Sequence, residues 1–419
     1  MTPTYFTTTT ANRPSLRRWL AAGMLAAATT LAACTPAVDP VRTAAAPAPA
    51  PAPAVPILPL DDAVLLAADT TFAQATDAGG PGRRTVVIDP LIEGVTGFQS
   101  MATRSIQARV IELVERNHPQ FEVRPFTAEN LDAASLVLVG SLTGIDRKGQ
   151  PTGRETGDAQ RIWLVLGDLR SGRIVAKGTA RALPEAVDVT PTRSFADSPA
   201  WTGDRFVLAY LATCAGKVGD PMDPVYLDGL LAAALVSQAM LAYEDEQYER
   251  ALDYFQQARQ TPAGDQLRVH NGLYMANWAL GRYNEAEDAF AGLADYGFRA
   301  RHLAVKFLFR PGSTTFLSQR QVRDQYPMWV EKIAERAADD TACIDITGHT
   351  SPTGPAALND RLSRLRADYI KERLEDVVPE LGSRLIAHGA GSSENIVGTG
   401  RDDASDALDR RVEMALFDC

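Results

Sequence analysis

The chain has 419 residues, 45 % hydrophobic and 22 % charged, an ordinary globular balance with room for about two to four domains. Its formal net charge of −10 excludes nucleic acid as the expected partner, because phosphate binding needs a basic face. Four cysteines are present and none forms a Cys-x-x-Cys pair, which argues against a zinc or redox motif.

The first 33 residues read as a targeting segment. Arg13, Arg17 and Arg18 supply a positive end, and residues 19–30 form an apolar and small-residue run too short for a permanent membrane helix. The run leads into Leu31-Ala32-Ala33-Cys34. This tetrapeptide resembles the bacterial lipobox, the alternative being an ordinary secretory signal with a chance cysteine. The resemblance implies cleavage before Cys34, a diacylglycerol on its sulfur and an acylated amine. Removing residues 1–33 takes the net charge from −10 to −13. Thr35 follows, not Asp, and by the usual sorting rule for such lipoproteins this implies the outer membrane. Several acyl chains would anchor firmly, at roughly 0.8 kcal/mol per buried methylene. Residues 34–83 are expected to be a linker. Ala and Pro alternate over 44–56, a composition that keeps the backbone extended as a semi-rigid stalk. A short helix over 62–68 would have nothing following it to pack on, and 77–82 is a Gly-rich break.

The first folded domain is expected over 84–190. Residues 85–88 form a buried strand, and Ile106, Val110, Leu113 and Val114 recur at helical spacing over 100–116. A short strand at 121–123 and a short helix at 128–133 precede a strong apolar strand at 136–142. Residues 161–166 and 174–178 flank a Gly-containing turn and read as a hairpin. The order β-α-β-α-β-β-β resembles the small α/β domain of periplasmic assembly lipoproteins, of the curli-secretion and penicillin-binding-protein activator types. That resemblance rests on pattern alone. It implies a docking surface for a periplasmic protein, with a spacer domain as the alternative.

Residues 191–228 show turn residues and few regular patterns, and read as a connector. A repeat follows over 229–300. Tyr248, Ala251, Phe255 and Ala258 are matched 35 residues later by Tyr283, Ala286, Phe290 and Leu293. The pattern resembles two tetratricopeptide repeats, in which small positions let paired helices approach and aromatics fill the gap. Two repeats are too few for a free solenoid, so they are expected to pack on a neighbouring domain. A partner groove and a structural bridge are both open.

The last domain is expected over 301–419. Val305, Phe307 and Phe309 alternate as a first strand, and 328–338 form a helix with Trp329, Ile333 and Ala337 on its apolar side. Ile344 and Ile346 alternate in a strand that stops at Gly348. A turn-rich loop, 350–355, then precedes a helix. On that helix Leu358, Leu362, Leu365 and Tyr369 form an apolar stripe expected to dock, with Asn359, Ser363 and Arg366 as a polar stripe beside it. A guanidinium held this way suits a carboxylate, with a neutral amide to hydrogen-bond a peptide. Strands at 384–388 and 410–416 complete the pattern.

The motifs Gly348-His349-Thr350, Asn359-x-x-Leu362-Ser363-x-x-Arg366-Ala367 and Arg410-Arg411-Val412-Glu413 resemble the OmpA-like peptidoglycan-binding domain over about 303–416. The resemblance implies a βαβαββ fold and a pocket for the diaminopimelate of a peptidoglycan stem peptide. It implies that Arg366 pairs with the ligand carboxylate and that Asn359 assists. Ser351, Thr353 and Gly354 belong to the pocket loop, and Arg410 and Arg411 to its rim. Where the family has an Asp after Gly-His-Thr, this chain has Ser351, so one charge partner is absent. Asp409 stands where the family often has Asn. In the resembled fold the strands beginning after Cys343 and ending before Cys419 are antiparallel neighbours, which implies a Cys343–Cys419 disulfide. Three free thiols, or a pair including Cys214, are the alternatives.

No His-Glu-x-x-His, Gly-x-Ser-x-Gly or Walker loop occurs, so neither an enzyme nor a cofactor is expected. The glycines at 389 and 391, and at 398 and 400, read as turns. His349 reads as a structural hydrogen-bonder rather than a base, and Asp402, Asp403 and Asp406 as a solvated loop rather than a metal site. The expected protein is a multidomain α/β and α+β chain, lipid-anchored in the outer membrane, facing the periplasm and gripping peptidoglycan. The alternative is a periplasmic scaffold or activator that recruits a wall-synthesis or envelope-assembly partner through 84–300.

Overall fold

The computed structural model describes residues 55–77, 82–152, 157–200, 204–310, 312–316, 325–395, 398, 400–401, 406 and 409–419. The targeting segment, Cys34 and the stalk before residue 55 lie outside the described residues. Among the described residues no helix is long and apolar enough to cross a membrane.

The N-terminal part is built on a seven-stranded sheet. Its strands are β1 (Ile57–Leu58), β2 (Arg84–Ile88), β3 (Ile92–Glu93), β4 (Phe121–Arg124), β5 (Leu136–Ile145), β6 (Ala159–Asp168) and β7 (Arg173–Ala182). The spatial order is β1-β7-β6-β5-β2-β4, with β3 pairing with the end of β5. Strands β4, β2 and β5 run parallel, and β5-β6-β7 are antiparallel. Every residue of β5 is buried, as expected of a central strand covered on both faces.

Two findings differ from the sequence reading. The expected linker ends before residue 57, because Leu60–Asp77 is an 18-residue helix, α1. Its Ala63, Val64, Ala67, Phe72 and Ala75 are buried against the sheet together with Ile106, Val110 and Leu113 of helix α2 (Met101–Asn117). The partner surface of α1 is β7, about a hundred residues away in sequence, so no local pattern announced it. Gly178 of β7 marks the contact, since a Cβ there would sit 2.0 Å from the Ala67 carbonyl oxygen. Gly178→Ala is expected to destabilise the protein by about 1–3 kcal/mol through overpacking, read as a lowered denaturant midpoint.

The second difference is the connector. After the short helices α3 (Ala128–Ala133) and α4 (Arg193–Asp197) comes α5 (Arg205–Ala215), then α6 (Pro224–Asp228). Phe206, Tyr210 and Cys214 of α5 and Tyr226 of α6 cover the other face of the sheet, over Val87, Val137, Val139 and Val165. The apolar residues of α5 recur at three and four, but the helix is short and lies between turn-rich stretches. The sheet is therefore a three-layer sandwich.

Four helices follow as two antiparallel hairpins: α7 (Leu230–Glu244) with α8 (Tyr248–Gln260), and α9 (Leu267–Ala279) with α10 (Tyr283–Arg299). Ala251, Phe255 and Ala258, and Ala286, Phe290 and Leu293, are all buried between them. Gly272 allows the close approach, since a Cβ there would meet the Phe255 ring at 2.2 Å. Their core continues into the C-terminal part, where Phe290 stacks on Trp329 at 5.3 Å and Trp329 Nε1 donates to Tyr274 Oη.

The C-terminal part is a four-stranded sheet, β10-β9-β11-β8, backed by α11 (Tyr326–Ala338) and α12 (Ala356–Val377). Its strands are β8 (His302–Val305), β9 (Cys343–His349), β10 (Leu385–Gly391) and β11 (Val412–Phe417). Strands β9 and β10 are parallel and linked through α12, whereas β11 is antiparallel to both β9 and β8. The first strand ends at Val305, earlier than expected. Phe307 and Phe309 lie beyond it, still fully buried, in a cluster with Phe316, Tyr326 and Trp329.

Candidate functional site

The candidate site lies where β9 ends and α12 begins. The docked face of α12 is not the expected leucine stripe. Leu358 is 53 % and Leu365 44 % exposed, whereas Asn359, Leu362, Ser363, Arg366, Ala367, Ile370 and Leu374 are buried. The polar stripe therefore faces the sheet. The reason is the glycine content of the strands beneath. A Cβ at Gly348 would lie 2.1 Å from the Ser363 carbonyl oxygen, and one at Gly389 2.3 Å from Ser363 Oγ. Helix and strands come so close that the small Ser363 is the residue that fits, and its Oγ accepts from Gly391 N at 2.9 Å. Residues 389–391, expected as a turn, are thus part of β10 and make room for the helix.

Asn359 and Arg366 sit one turn to either side of that contact. Asn359 Nδ2 donates to the carbonyl oxygens of Ser351 (3.3 Å) and Thr353 (3.1 Å), so it clamps the loop from beneath. Within the loop the Ser351 and Thr353 hydroxyls are 3.0 Å apart, and Gly354 is exposed with φ +89°. Arg366 is 1 % exposed. Its Nε donates to Ser313 O (3.2 Å), Nη1 to His349 O (3.3 Å) and Nη2 to Arg310 O (3.2 Å), and the guanidinium stands over the Phe309 ring at 4.9 Å. These are long bonds to neutral acceptors. A carboxylate is a stronger acceptor for the same fork.

The third motif closes the site from the far side. His349 N donates to Arg411 O at 3.0 Å, which ties β9 to the start of β11. Arg410 and Arg411 are 8 % and 3 % exposed, so they are buried and not on an open rim. Arg411 Nε donates to Glu413 Oε1 and Nη2 to Glu394 O. The Asn395 amide donates to Thr350 O at 2.6 Å, and Asp409 Oδ2 accepts from Gly398 N. Sequence reading gave no role to Glu394 or Asn395, whose contacts reach 17 and 45 residues along the chain, and named Glu413 only as part of the third motif, where its partner Arg411 is two residues away. Of the three acidic loop residues, Asp406 is fully buried rather than solvated, and Asp402 and Asp403 lie outside the described residues. Among the described residues no group of acidic, His or Cys side chains could hold a metal ion.

His349 is fully buried, and neither ring nitrogen has a hydrogen-bond partner. It is therefore not the structural hydrogen-bonder expected. Glu394 and Glu413 stand 3.8 and 3.9 Å away. Desolvation, then the Arg411 charge, push its pKa down to about 4. The unfolded chain thus binds a proton near pH 6.5 that the folded chain refuses until about pH 4. Stability carried by neutral His349 is complete above pH 6.5 and is lost as pH falls toward 4, by about 3 kcal/mol. His349→Gln is expected to flatten that part of the stability–pH curve, measured by denaturant unfolding between pH 4 and 7.

Cys343 and Cys419 are joined by a disulfide with Cα atoms 5.0 Å apart, at the sheet end opposite the site. Cys214 is free and buried in α5.

No family model matches the chain. Outer membrane protein Omp38 of Acinetobacter baumannii is 33 % identical over 96 residues, 23 % of this chain and 27 % of that protein. Outer membrane porin F of Pseudomonas fluorescens is 37 % identical over 75 residues, 17 % of this chain and 22 % of that protein. The chain thus spans about a quarter of the length of the curated relatives it matches. Among solved structures, the peptidoglycan-associated lipoprotein of Burkholderia pseudomallei overlaps 28 % of this chain and 90 % of its own, at 23 % identity and TM-score 0.23. The cell wall anchor of the T6SS of Pseudomonas aeruginosa overlaps 30 % and 94 %, at 24 % identity and TM-score 0.24.

Proposed function

We propose that this chain, whose C-terminal domain is OmpA-like, binds peptidoglycan non-covalently and tethers the cell envelope to the wall. One observation carries the reading. Three motifs spread over more than sixty residues converge on one loop: Asn359 clamps 351–353, Arg366 lies under His349, and Arg411 holds the His349 backbone. In this reading the diaminopimelate of a stem peptide lies over Ser351, Thr353 and Gly354. Its carboxylate takes the Arg366 fork in place of the Arg310 and Ser313 carbonyls, with Asn359, Arg410 and Arg411 shaping the surrounding wall.

Cys34 would carry the lipid that moors the other end in the outer membrane, so that the protein faces the periplasm. The two helical hairpins are tetratricopeptide-like in their repeat of Ala and aromatic positions, and the middle of the chain would dock a periplasmic protein. No step of bond chemistry is assigned to the site, and no cofactor is invoked. Binding rests on charge and hydrogen bonding alone.

The test is co-sedimentation of the purified chain, free of acyl groups, with isolated sacculi. Retention that a soluble diaminopimelate-containing peptide competes away is expected. Protein that stays in the supernatant at all loadings would sink the proposal.

A further inference from the structure

The N-terminal sheet has a topological switch point that the proposed wall-binding site does not use. Strand β2 lies between β4 and β5, parallel to both, and the chain crosses from one side of it to the other. In open α/β sheets, ligands bind in the crevice beyond the carboxyl end of the strands at such a point. Here β2 runs straight into Asp89 and Pro90, and these residues line a partly open cavity of about 90 Å³ between the sheet, α5, α7 and the start of α9. That volume holds several waters, or a molecule of a few heavy atoms.

The cavity wall carries opposite charges held apart. Asp89 is 4 % exposed, and its Oδ2 accepts from Tyr226 Oη at 2.9 Å. Arg268 is fixed from the other side: its guanidinium stacks on the Phe206 ring at 4.1 Å, and Nε donates to Gln266 Oε1 at 2.8 Å. Each feels the other's charge, yet no ion pair between them is found among the described residues. Asp204 also lines the cavity and accepts from Val207 N and Leu267 N. Its charge acts on Arg268 more strongly than that of Asp89, but no ion pair between Asp204 and Arg268 is found among the described residues. Arg268 Nη2 and the hydroxyl of Thr96, itself 3 % exposed, are buried without a hydrogen-bond partner. Unpartnered buried donors cost stability unless something bonds them. An opposed pair in a low-dielectric cavity would close up if the side chains were free, but Tyr226 and Phe206 hold them where they are. The rest of the wall is mostly apolar, with Phe98, Val236 and Met240.

We propose that this cavity is a binding site for a small zwitterion, an amino acid with a small side chain. Its ammonium bonds Asp89, its carboxylate bonds Arg268, and its side chain lies against Met240 and Val236. Asp89 matches the ammonium well: burial raises its pKa to about 7, and a bound cation restores its charge. A zwitterion answers both Asp89 and the unbonded Nη2 of Arg268. A simple anion leaves Asp89 facing it, and a simple amine leaves Arg268 facing it.

The test is calorimetric titration of the full chain with glycine and L- and D-alanine, beside acetate and methylamine as single-charge probes. At least one zwitterion is expected to bind with a Kd of ~1 mM or tighter, and at least tenfold tighter than either single-charge probe. Arg268→Gln and Asp89→Asn are each expected to weaken it about tenfold or more. Met240→Trp, which fills the cavity from a half-buried helix position, is expected to abolish binding while circular dichroism stays native. Arg366→Lys is expected to leave it unchanged, which separates this site from the wall site. Failure of every zwitterion, acetate binding as tightly as alanine, or affinity unchanged in folded Met240→Trp would each overturn the proposal.

Discussion

Arg366→Ala is expected to abolish retention on sacculi and to lower unfolding stability by about 3 kcal/mol. The stability loss follows from burial. The substitution removes the guanidinium donor from the His349 and Ser313 carbonyls and one of two donors from the Arg310 carbonyl, which also accepts from Ser313 N, and it removes the contact over Phe309. A buried acceptor that loses its partner costs about 1 kcal/mol or more, and a desolvated cation over an aromatic ring about 1 kcal/mol. Because a destabilised variant also fails to bind for trivial reasons, Arg366→Lys is the informative partner. It keeps the charge and most of the volume but loses the planar fork. With the fold intact by circular dichroism, its retention is expected to fall at least tenfold. Folded Arg366→Lys that co-sediments like wild type would mean that the guanidinium is a structural strut and that the wall is gripped elsewhere.

Reducing the Cys343–Cys419 bridge is the second large effect. The two residues are 76 apart in sequence. Closing a loop of that length removes chain entropy from the unfolded state worth about 4 kcal/mol in the simplest treatment. Cys343→Ser with Cys419→Ser should therefore lower C-terminal stability by up to that amount. The pairing ties the start of β9 to the end of β11, where Phe417 faces Cys343 in the ladder. The site at the other end of β9 should keep its affinity, since none of its contacts depends on the bridge. A midpoint unchanged by the double substitution would show that the ladder alone holds the sheet end. Loss of wall affinity in a still folded double variant would show strain passing along β9.

The C-terminal site was legible because its parts are short and chemically distinctive. Gly348-His349-Thr350, Asn359…Arg366 and Arg410-Arg411 stand out as strings, and the resemblance they carry placed a strand, a loop and a helix in order. Legibility stopped at rotation. The Leu358–Leu362–Leu365 stripe and the Asn359–Ser363–Arg366 stripe are both consistent with helical period. Hydrophobicity favoured the first, and the structure buries the second. The deciding residues, Gly348 and Gly389, are not on the helix, and only their closeness to Ser363 shows that a polar face fits where leucine would not. The same limit applies to α1. Its Ala-rich face looked like part of a linker because the surface it covers is β7.

Composition, the Ala-Pro run, the alternation in strands and the repeat of Ala and aromatic positions are properties of neighbours along the chain. The sequence by itself therefore determined the kinds of element, most of their order and the three motifs on which the proposed wall-binding site rests. Which face of each helix turns inward, that Arg366 is buried on backbone carbonyls, that the His349 ring makes no hydrogen bond, and that Asp89 meets Arg268 across a cavity were decided only by tertiary contacts. Each depends on the distance between groups 17 to 179 residues apart, and period and propensity carry no information about that distance.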